Sequence, residues 1–262
     1  MRKPQGYIIP AVNSAQVDYI SCARTLARSL RHWHPDVEIC LLTDKEITDP
    51  LFDYVRVLPH GDQGGWANDW QVFEASPFHE TVKLEADMIV SGPIDHWWTM
   101  FRHKDVFLSH GCLDYQGQQS FNRTYRRVFD ANGLLDVYNA VTYWRHSKLA
   151  MDFFATVRNI FQHWDIVKTT MKQAQDEPAS TDLVYAVAAD VLGRDNFYIP
   201  QTACPRMVHM KPAILGTRSQ DWTKELVWEL VDGEFRINGF TQSGLVHYHL
   251  KHLAQDFYDR YH

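Results

Sequence analysis

Short apolar runs and helical patterns take turns through the first half of the chain, and that alternation restricts its architecture more than any other feature. "GYIIPAV" (6–12) is an apolar run bounded by Gly6 and Asn13, which reads as a buried first strand. "DYISCARTLARSLRHW" (18–33) follows, with Tyr19, Cys22, Ala23, Leu26, Ala27 and Leu30 at helical spacing and Asp18 in the capping position. "DVEICLLTD" (36–44) and "YVRVLP" (54–59) predict two more strands, and "ANDWQVFEAS" (67–76) predicts a helix behind the Gly-rich connection "HGDQGGW". A strand over 81–92, closed by Gly92-Pro93, leads into helical "DHWWTMFR" and strand "DVFLSH". Strands separated by helices pair in parallel, so the expected fold is α/β and Rossmann-like, with a mainly parallel central sheet and helices on both faces.

The second half continues with a strand at "DVYNAVTYWRHS" (136–147), the longest helical pattern at 148–171, and a helix at 180–193 that starts at Ser180-Thr181 and stops at Gly193. Short strands follow in "PRMVHMKP", in "LVWELVDGEFRING" as a hairpin around Asp232-Gly233, and in "SGLVHYHLKH". No repeat, low-complexity tract or linker interrupts the 262 residues, so one domain over 1–262 is expected.

Hydrophobic residues make up 45% of the chain, enough for a full core without staples. Cys22, Cys40, Cys112 and Cys204 show no CxxC and no zinc-ligand spacing, and read as reduced thiols. The net charge of -6 argues against a generic nucleic-acid coat protein, though it allows a local basic patch. No apolar run approaches the roughly 18 residues of a membrane helix, and the run before Asn13 is too short for a signal peptide, so a cytoplasmic protein is expected. "GDQGGW" is not GxGxxG, and GxxxxGK[ST], GxSxG and HExxH do not occur.

One strand contains a conflict. In "TVKLEADMIVSG" (81–92), Val82, Leu84, Met88, Ile89 and Val90 call for burial, yet Lys83, Glu85 and Asp87 lie among them. Residues two apart on a strand share a face, so Glu85 and Asp87 would stand side by side. Two ionised carboxylates at that range repel, and burying either without a partner is costly. A hard divalent cation such as Mg²⁺ or Mn²⁺ resolves the conflict. Lys83 on the same face offers the alternative of a Lys-Glu-Asp network without metal. The pair's place near the strand's carboxyl end, where open parallel sheets bind ligands, favours a site.

"KLEADMIVSGPI" resembles the acidic metal-binding segment of glycosyltransferases with the GT-A fold, the glycogenin-like retaining class in particular, with Glu85 where that family usually has Asp. The resemblance implies Mn²⁺ or Mg²⁺ held by Glu85 and Asp87 on the diphosphate of a UDP-sugar, with Ala86 between them at the cofactor. "GYIIPAVN" and "EICLLTD" are similar to the family's first two strands, which places Pro10, Ala11 and Val12, with Asp18 and Asp44, around the nucleoside. "DVYNAVTYWRHS" is similar to the strand whose Asn contacts the donor sugar, here Asn139 followed by Ala140, with Val141 where the family has glycine. "STDLVYAVAAD" resembles the helix start that sets Asp182 against the sugar and reacting centre, and Lys83 is assigned to the same sugar.

"VHMKP" and "VHYHLK" each resemble part of the family's C-terminal motif, in which a His is the third metal ligand and a Lys meets the diphosphate. His209 and His247 are thus both candidates, His247 preferred for lying nearer the C-terminus, and Lys211 or Lys251 is the cation at the diphosphate. A closer likeness over nearly the whole chain, carried by "ETVKLEAD", "DHWW", "VYNAV" and "WRHSK", is to glycosyltransferase-like proteins of T-even-type tailed phages. It implies a location in the host cytoplasm and an acceptor such as 5-hydroxymethylcytosine in DNA, which would have to be flipped from the duplex. Arg123, Arg126 and Arg127 in "SFNRTYRR" are the candidate phosphate contacts, against the alternative of a solvated helix face. Rival readings are a polysaccharide, lipid or protein acceptor, a non-catalytic sugar-nucleotide-binding protein, or a nucleotidyltransferase, whose Gly-rich loop "IIPAVNSAQ" does not supply.

Overall fold

The computed structural model describes residues 2–119, 126–200, 205–209, 226–231 and 234–261. The chain opens with β1 (Lys3–Pro10), α1 (Tyr19–Trp33), β2 (Ile39–Thr43) and β3 (Tyr54–Val57). A 3-10 helix (Gly65–Gln71) runs into α2 (Val72–Ala75), followed by β4 (Phe78–Leu84), β5 (Met88–Val90), α3 (His96–Phe101) and β6 (Val106–His110). Next come α4 (Arg127–Asn132), β7 (Val137–Arg145), α5 (Lys148–Gln162), α6 (Trp164–Val167) and α7 (Thr181–Val191). The last part holds β8 (Met207–His209), β9 (Trp228–Val231), β10 (Glu234–Ile237), β11 (Phe240–Thr241), β12 (Leu245–His247) and α8 (Ala254–Arg260).

The central sheet has the order β3-β2-β1-β4-β7-β6. Its first four strands are parallel, and β7 runs antiparallel to both β4 and β6. β1 shows why both faces need cover. Tyr7 and Ile9 are buried on one side with Cys22, Leu26 and Leu30 of α1, and Ile8 on the other with Phe153 of α5 and Val184 of α7. Asp18 caps α1, its carboxylate accepting from the Ser21 N–H at 3.1 Å, and Ser180 caps α7. No helix among the described residues is long and apolar enough to cross a membrane. Cys22, Cys40 and Cys112 are buried, and Cys204 lies outside the described residues.

Two expected elements are each divided. The helical pattern at 148–171 breaks at His163 (φ -120°), where the chain turns so that Trp164 is buried and its indole N–H donates to the Glu177 carbonyl at 2.8 Å. The strand expected at 81–92 is two strands in different sheets. β4 stops at Leu84 because its neighbour β7 pairs no further, the last link being Glu85 N–H to the Ala140 carbonyl at 3.2 Å. After a turn at 85–87, β5 joins a second sheet of order β5-β12-β8, antiparallel to β12, which is parallel to β8. The hairpin expected near the C-terminus is present as β9 and β10, antiparallel with Val231 opposite Glu234, while its turn residues 232 and 233 lie outside the described residues.

Candidate active site

A cleft of about 820 Å³ opens over the carboxyl ends of the parallel strands. Pro10, Ala11 and Val12 line it just beyond β1, and Glu85, Ala86 and Asp87 line it beyond β4. The acidic pair therefore projects from the turn between two sheets rather than from one strand. Asp87 is nearly buried and Glu85 keeps 30% of its side chain exposed in the cleft.

The second sheet brings both histidine clusters to this turn. His209 on β8 and His247 on β12 are register partners in the parallel pair, so their rings lie side by side. His247 Nε2 is 3.0 Å from Asp87 Oδ2 and 3.4 Å from Glu85 Oε2. His247 Nδ1 is 3.1 Å from His209 Nδ1, and His249 Nε2 is 3.1 Å from the same His209 nitrogen. Lys251 completes the group with an ion pair to Asp87.

Electrostatics follow from crowding. Burial pushes the Glu85 carboxyl up, with Asp87 and Asp182 adding to it against His247 and Lys83, and the result is a raised pKa. Burial also pushes Asp87 up, but His247, Lys251 and His249 outweigh it and hold Asp87 well below the usual carboxylate range. For His247, burial pushes down, while Asp87 and Glu85 carry it above the usual imidazole value. Asp87 and the His247 ring thus favour each other's charged forms across 3.0 Å, and a cation among the same groups would relieve the same crowding. Glu85, Asp87 and His247 offer donor atoms within 4.8 Å of one another, and oxygen with one imidazole nitrogen is a donor set that suits Mn²⁺ or Mg²⁺.

Deeper in the cleft a second network runs through residues from four elements. Lys83 is 1% exposed and pairs with Asp69 Oδ1 at 2.8 Å, donating also to the Asn139 carbonyl at 2.9 Å. It does not neutralise Glu85 or Asp87 by contact, contrary to the alternative read from the sequence. Asn139 donates through Nδ2 to Asp69 Oδ2 at 3.0 Å and accepts from Thr142 at 2.5 Å, and the Tyr185 hydroxyl donates to Asp69 as well. Asp182, at the first turn of α7, accepts from the Asn139 backbone N–H at 2.8 Å and from Arg126 Nη2 at 2.9 Å.

Several expected positions fall elsewhere. Arg126 is fully buried, its guanidinium 3.7 Å from the Tyr138 ring centroid and donating to the Val137 carbonyl at 2.7 Å. It belongs to the cleft wall and not to an outer basic face. Arg127 is exposed, and Arg123 lies outside the described residues, as does Lys211. Asp18 is occupied as a helix cap and Asp44 is exposed beside Thr43, and neither lines the cleft. Asn13, Ser14 and Asp62 are polar lining residues at that end instead. Val141 is buried in register with Leu84 and is not a lining residue.

Sequence reasoning missed Asp69 and His249. Asp69 lies in an ordinary-looking helical stretch with no local signal. His249 had one, the His-x-His spacing, but β12 ends at His247, and His249 reaches the cluster from a left-handed backbone (φ +47°).

No known family profile and no curated protein sequence matches the chain. Solved structures do. The galactosyltransferase LgtC, in complex with donor and acceptor sugar analogues, aligns with a TM-score of 0.55 over 98% of this chain and 96% of its own, at 12% identity. An active-site mutant of LgtC gives 0.53 over 97% and 95%, at 14% identity. The fold is the GT-A glycosyltransferase fold. The glycosyltransferase GlyE of Streptococcus pneumoniae aligns at 0.46 and 13% identity over 76% of this chain, which spans 46% of GlyE. In this chain the acidic turn, the histidine cluster and the Lys83–Asp69 network line one cleft.

Proposed function

We propose that the protein is a metal-dependent glycosyltransferase that moves a hexosyl or pentosyl group from a UDP-sugar to a hydroxyl acceptor. The observation that carries this reading is the convergence of Glu85 and Asp87, on the turn between β4 and β5, with His247 of β12 in a cleft of about 820 Å³ on a GT-A sheet. Those three residues would hold Mn²⁺ or Mg²⁺, which when bound offsets the charge of the diphosphate. Lys251, already at Asp87, supplies a second positive charge for the departing UDP, and Lys211 is the alternative. Pro10, Ala11 and Val12 take the nucleoside side of the cleft, with Ala86 beside the diphosphate.

At the sugar end, Asp182 reaches the cleft with 29% of its side chain exposed. Lys83 is engaged with Asp69 and the Asn139 carbonyl, and Asn139 with Asp69, Thr142 and Asp182, so they act by positioning Asp69 and Asp182. The acceptor oxygen bonds to the anomeric carbon as the bond to the diphosphate oxygen breaks. UDP leaves with that electron pair, and the proton of the acceptor hydroxyl passes to the departing diphosphate or to solvent. Holding the two reactants in line supplies the rest of the acceleration.

Hydroxymethylated phage DNA remains the acceptor suggested by the phage likeness, and the buried Arg126 removes one of its three expected phosphate contacts. The test is UDP release from UDP-sugars with Mn²⁺, assayed with hydroxymethylcytosine DNA, with glycans and without acceptor. Mn²⁺-dependent release that Asp87→Asn abolishes in a folded protein is the expected result. Binding of UDP-sugar with no release under any condition indicates the non-catalytic binding protein, and absence of binding overturns the reading.

A further inference from the structure

We propose that His209, His247 and His249 form a second cation site, for a zinc-type transition metal, adjoining the acidic set and competing with it for His247. Their ring nitrogens lie within 4.8 Å of one another, with 3.1 Å both from His209 Nδ1 to His247 Nδ1 and from His209 Nδ1 to His249 Nε2. Three nitrogens bound tetrahedrally at 2.0–2.1 Å would be about 3.3–3.4 Å apart, close to the two 3.1 Å separations, and the stacked His247 and His249 rings would have to turn apart for both lone pairs to meet one ion. An all-imidazole set prefers Zn²⁺, Co²⁺, Ni²⁺ or Cu²⁺, whereas the carboxylate-rich set beside it suits Mn²⁺ and Mg²⁺.

The backbone prearranges this cluster. His209 and His247 are fixed as register partners of a parallel pair, and the His209 N–H donates to the Leu113 carbonyl at 2.9 Å. The Tyr248 N–H donates to the Asp87 carbonyl at 3.1 Å, and the left-handed turn at His249 brings its ring within 3.9 Å of His247, stacked. His247 presents Nε2 to Asp87 at 3.0 Å and Nδ1 to the other rings. That is the carboxylate–histidine–metal arrangement, in which the carboxylate orients the ring and raises its basicity. His209, His247 and His249 all line the cleft, so a fourth position is open on that side. When His247 gives Nε2–H to Asp87 it cannot ligate a cation in the acidic set through the same nitrogen. Binding at the three imidazoles displaces any proton shared between them to solvent.

The site does not depend on the protein transferring a sugar, and its test is metal binding. Co²⁺ titrated into the full-length protein should give the intense visible absorption of a tetrahedral ion at about one equivalent. His249→Asn, which keeps a residue tolerant of the left-handed backbone, and His209→Gln should each abolish that band while circular dichroism and the melting temperature show a folded protein. Glu85→Gln should retain it, and Asp87→Asn should weaken Co²⁺ affinity about 10- to 100-fold, the usual cost of losing an outer carboxylate. Saturating Co²⁺ should also lower Mn²⁺ binding followed by electron paramagnetic resonance. A band untouched by both histidine substitutions, a band lost in Glu85→Gln, or no tetrahedral band at all would overturn the proposal.

Discussion

Lys83 illustrates how a buried charge acquires its role from partners that are distant in sequence. Its ammonium is held by Asp69 and the Asn139 carbonyl, both out of reach of any local pattern. Lys83→Met leaves the Asp69 carboxylate in the cleft without its cation, and should cost about 3–5 kcal/mol in thermal or urea unfolding. Lys83→Met combined with Asp69→Leu should recover a large part of that loss, since removing both partners leaves no unpaired charge. A double variant no more stable than the single one would show that Lys83 acts through something other than Asp69. Asp182 and Arg126 make a comparable pair at 2.9 Å. Asp182→Asn should lower turnover far more than nucleotide affinity, and a double-mutant cycle with Arg126→Met should show coupling of about 0.5–3 kcal/mol. Equal loss of turnover and affinity would move Asp182 to the nucleotide end.

At the scale of elements, two backbone details decide whether the site assembles. Gly244 has φ +82°, and a Cβ there would lie 2.5 Å from the Arg206 carbonyl oxygen, at the start of the β12–β8 pairing that sets His247 against His209. Gly244→Ala should destabilise the fold by more than about 1 kcal/mol, because the backbone is left-handed and the neighbour is main chain. It should weaken Co²⁺ and Mn²⁺ binding together, and unchanged binding of both would show that β12 and β8 tolerate separation. Asp18 serves α1. Partial burial pushes its carboxyl up, but the Ser21 hydroxyl and N–H, Asn13 and Arg24 more than offset that and leave its pKa lowered. A carboxyl depressed on folding contributes stability above its unfolded value of about 3.9, and that stability is lost as pH falls through the folded value. Loss of the cap in Asp18→Ala should cost about 1 kcal/mol at neutral pH, and the difference from the parent should narrow in acid as the carboxyl is protonated. A larger loss in UDP affinity than in stability would return Asp18 to the nucleoside.

For the whole molecule, the cleft joins pieces from both sheets, so a ligand that spans it should stabilise the protein globally. Mn²⁺ with UDP at a hundred times Kd should add about 2.7 kcal/mol, seen as a rise of several degrees in melting temperature. EDTA should remove the increment and Asp87→Asn should prevent it. A rise that survives EDTA would separate nucleotide binding from the metal. With Arg126 buried, Arg127 is the exposed member of the expected cluster among the described residues, and on a chain of net charge -6 nucleotide binding should be less salt-sensitive than phosphate-backbone recognition.

Local patterns by themselves determined the alternation of strands and helices, the caps at Asp18 and Ser180, and the presence of two carboxylates that need a cation or a partner. Those are decided within a few residues by side-chain periodicity, by cap chemistry and by the repulsion of like charges. Tertiary structure alone decided that the run at 81–92 splits between two sheets, because periodicity encodes a buried face and not the strand that covers it. The same holds for the meeting of His209, His247 and His249 with Asp87, which depends on β8 pairing with β12 and β12 with β5. Arg126 reads locally as one of three surface charges. It is buried because Asp182, Tyr138 and the Val137 carbonyl, brought from other elements, supply the contacts that water would otherwise provide.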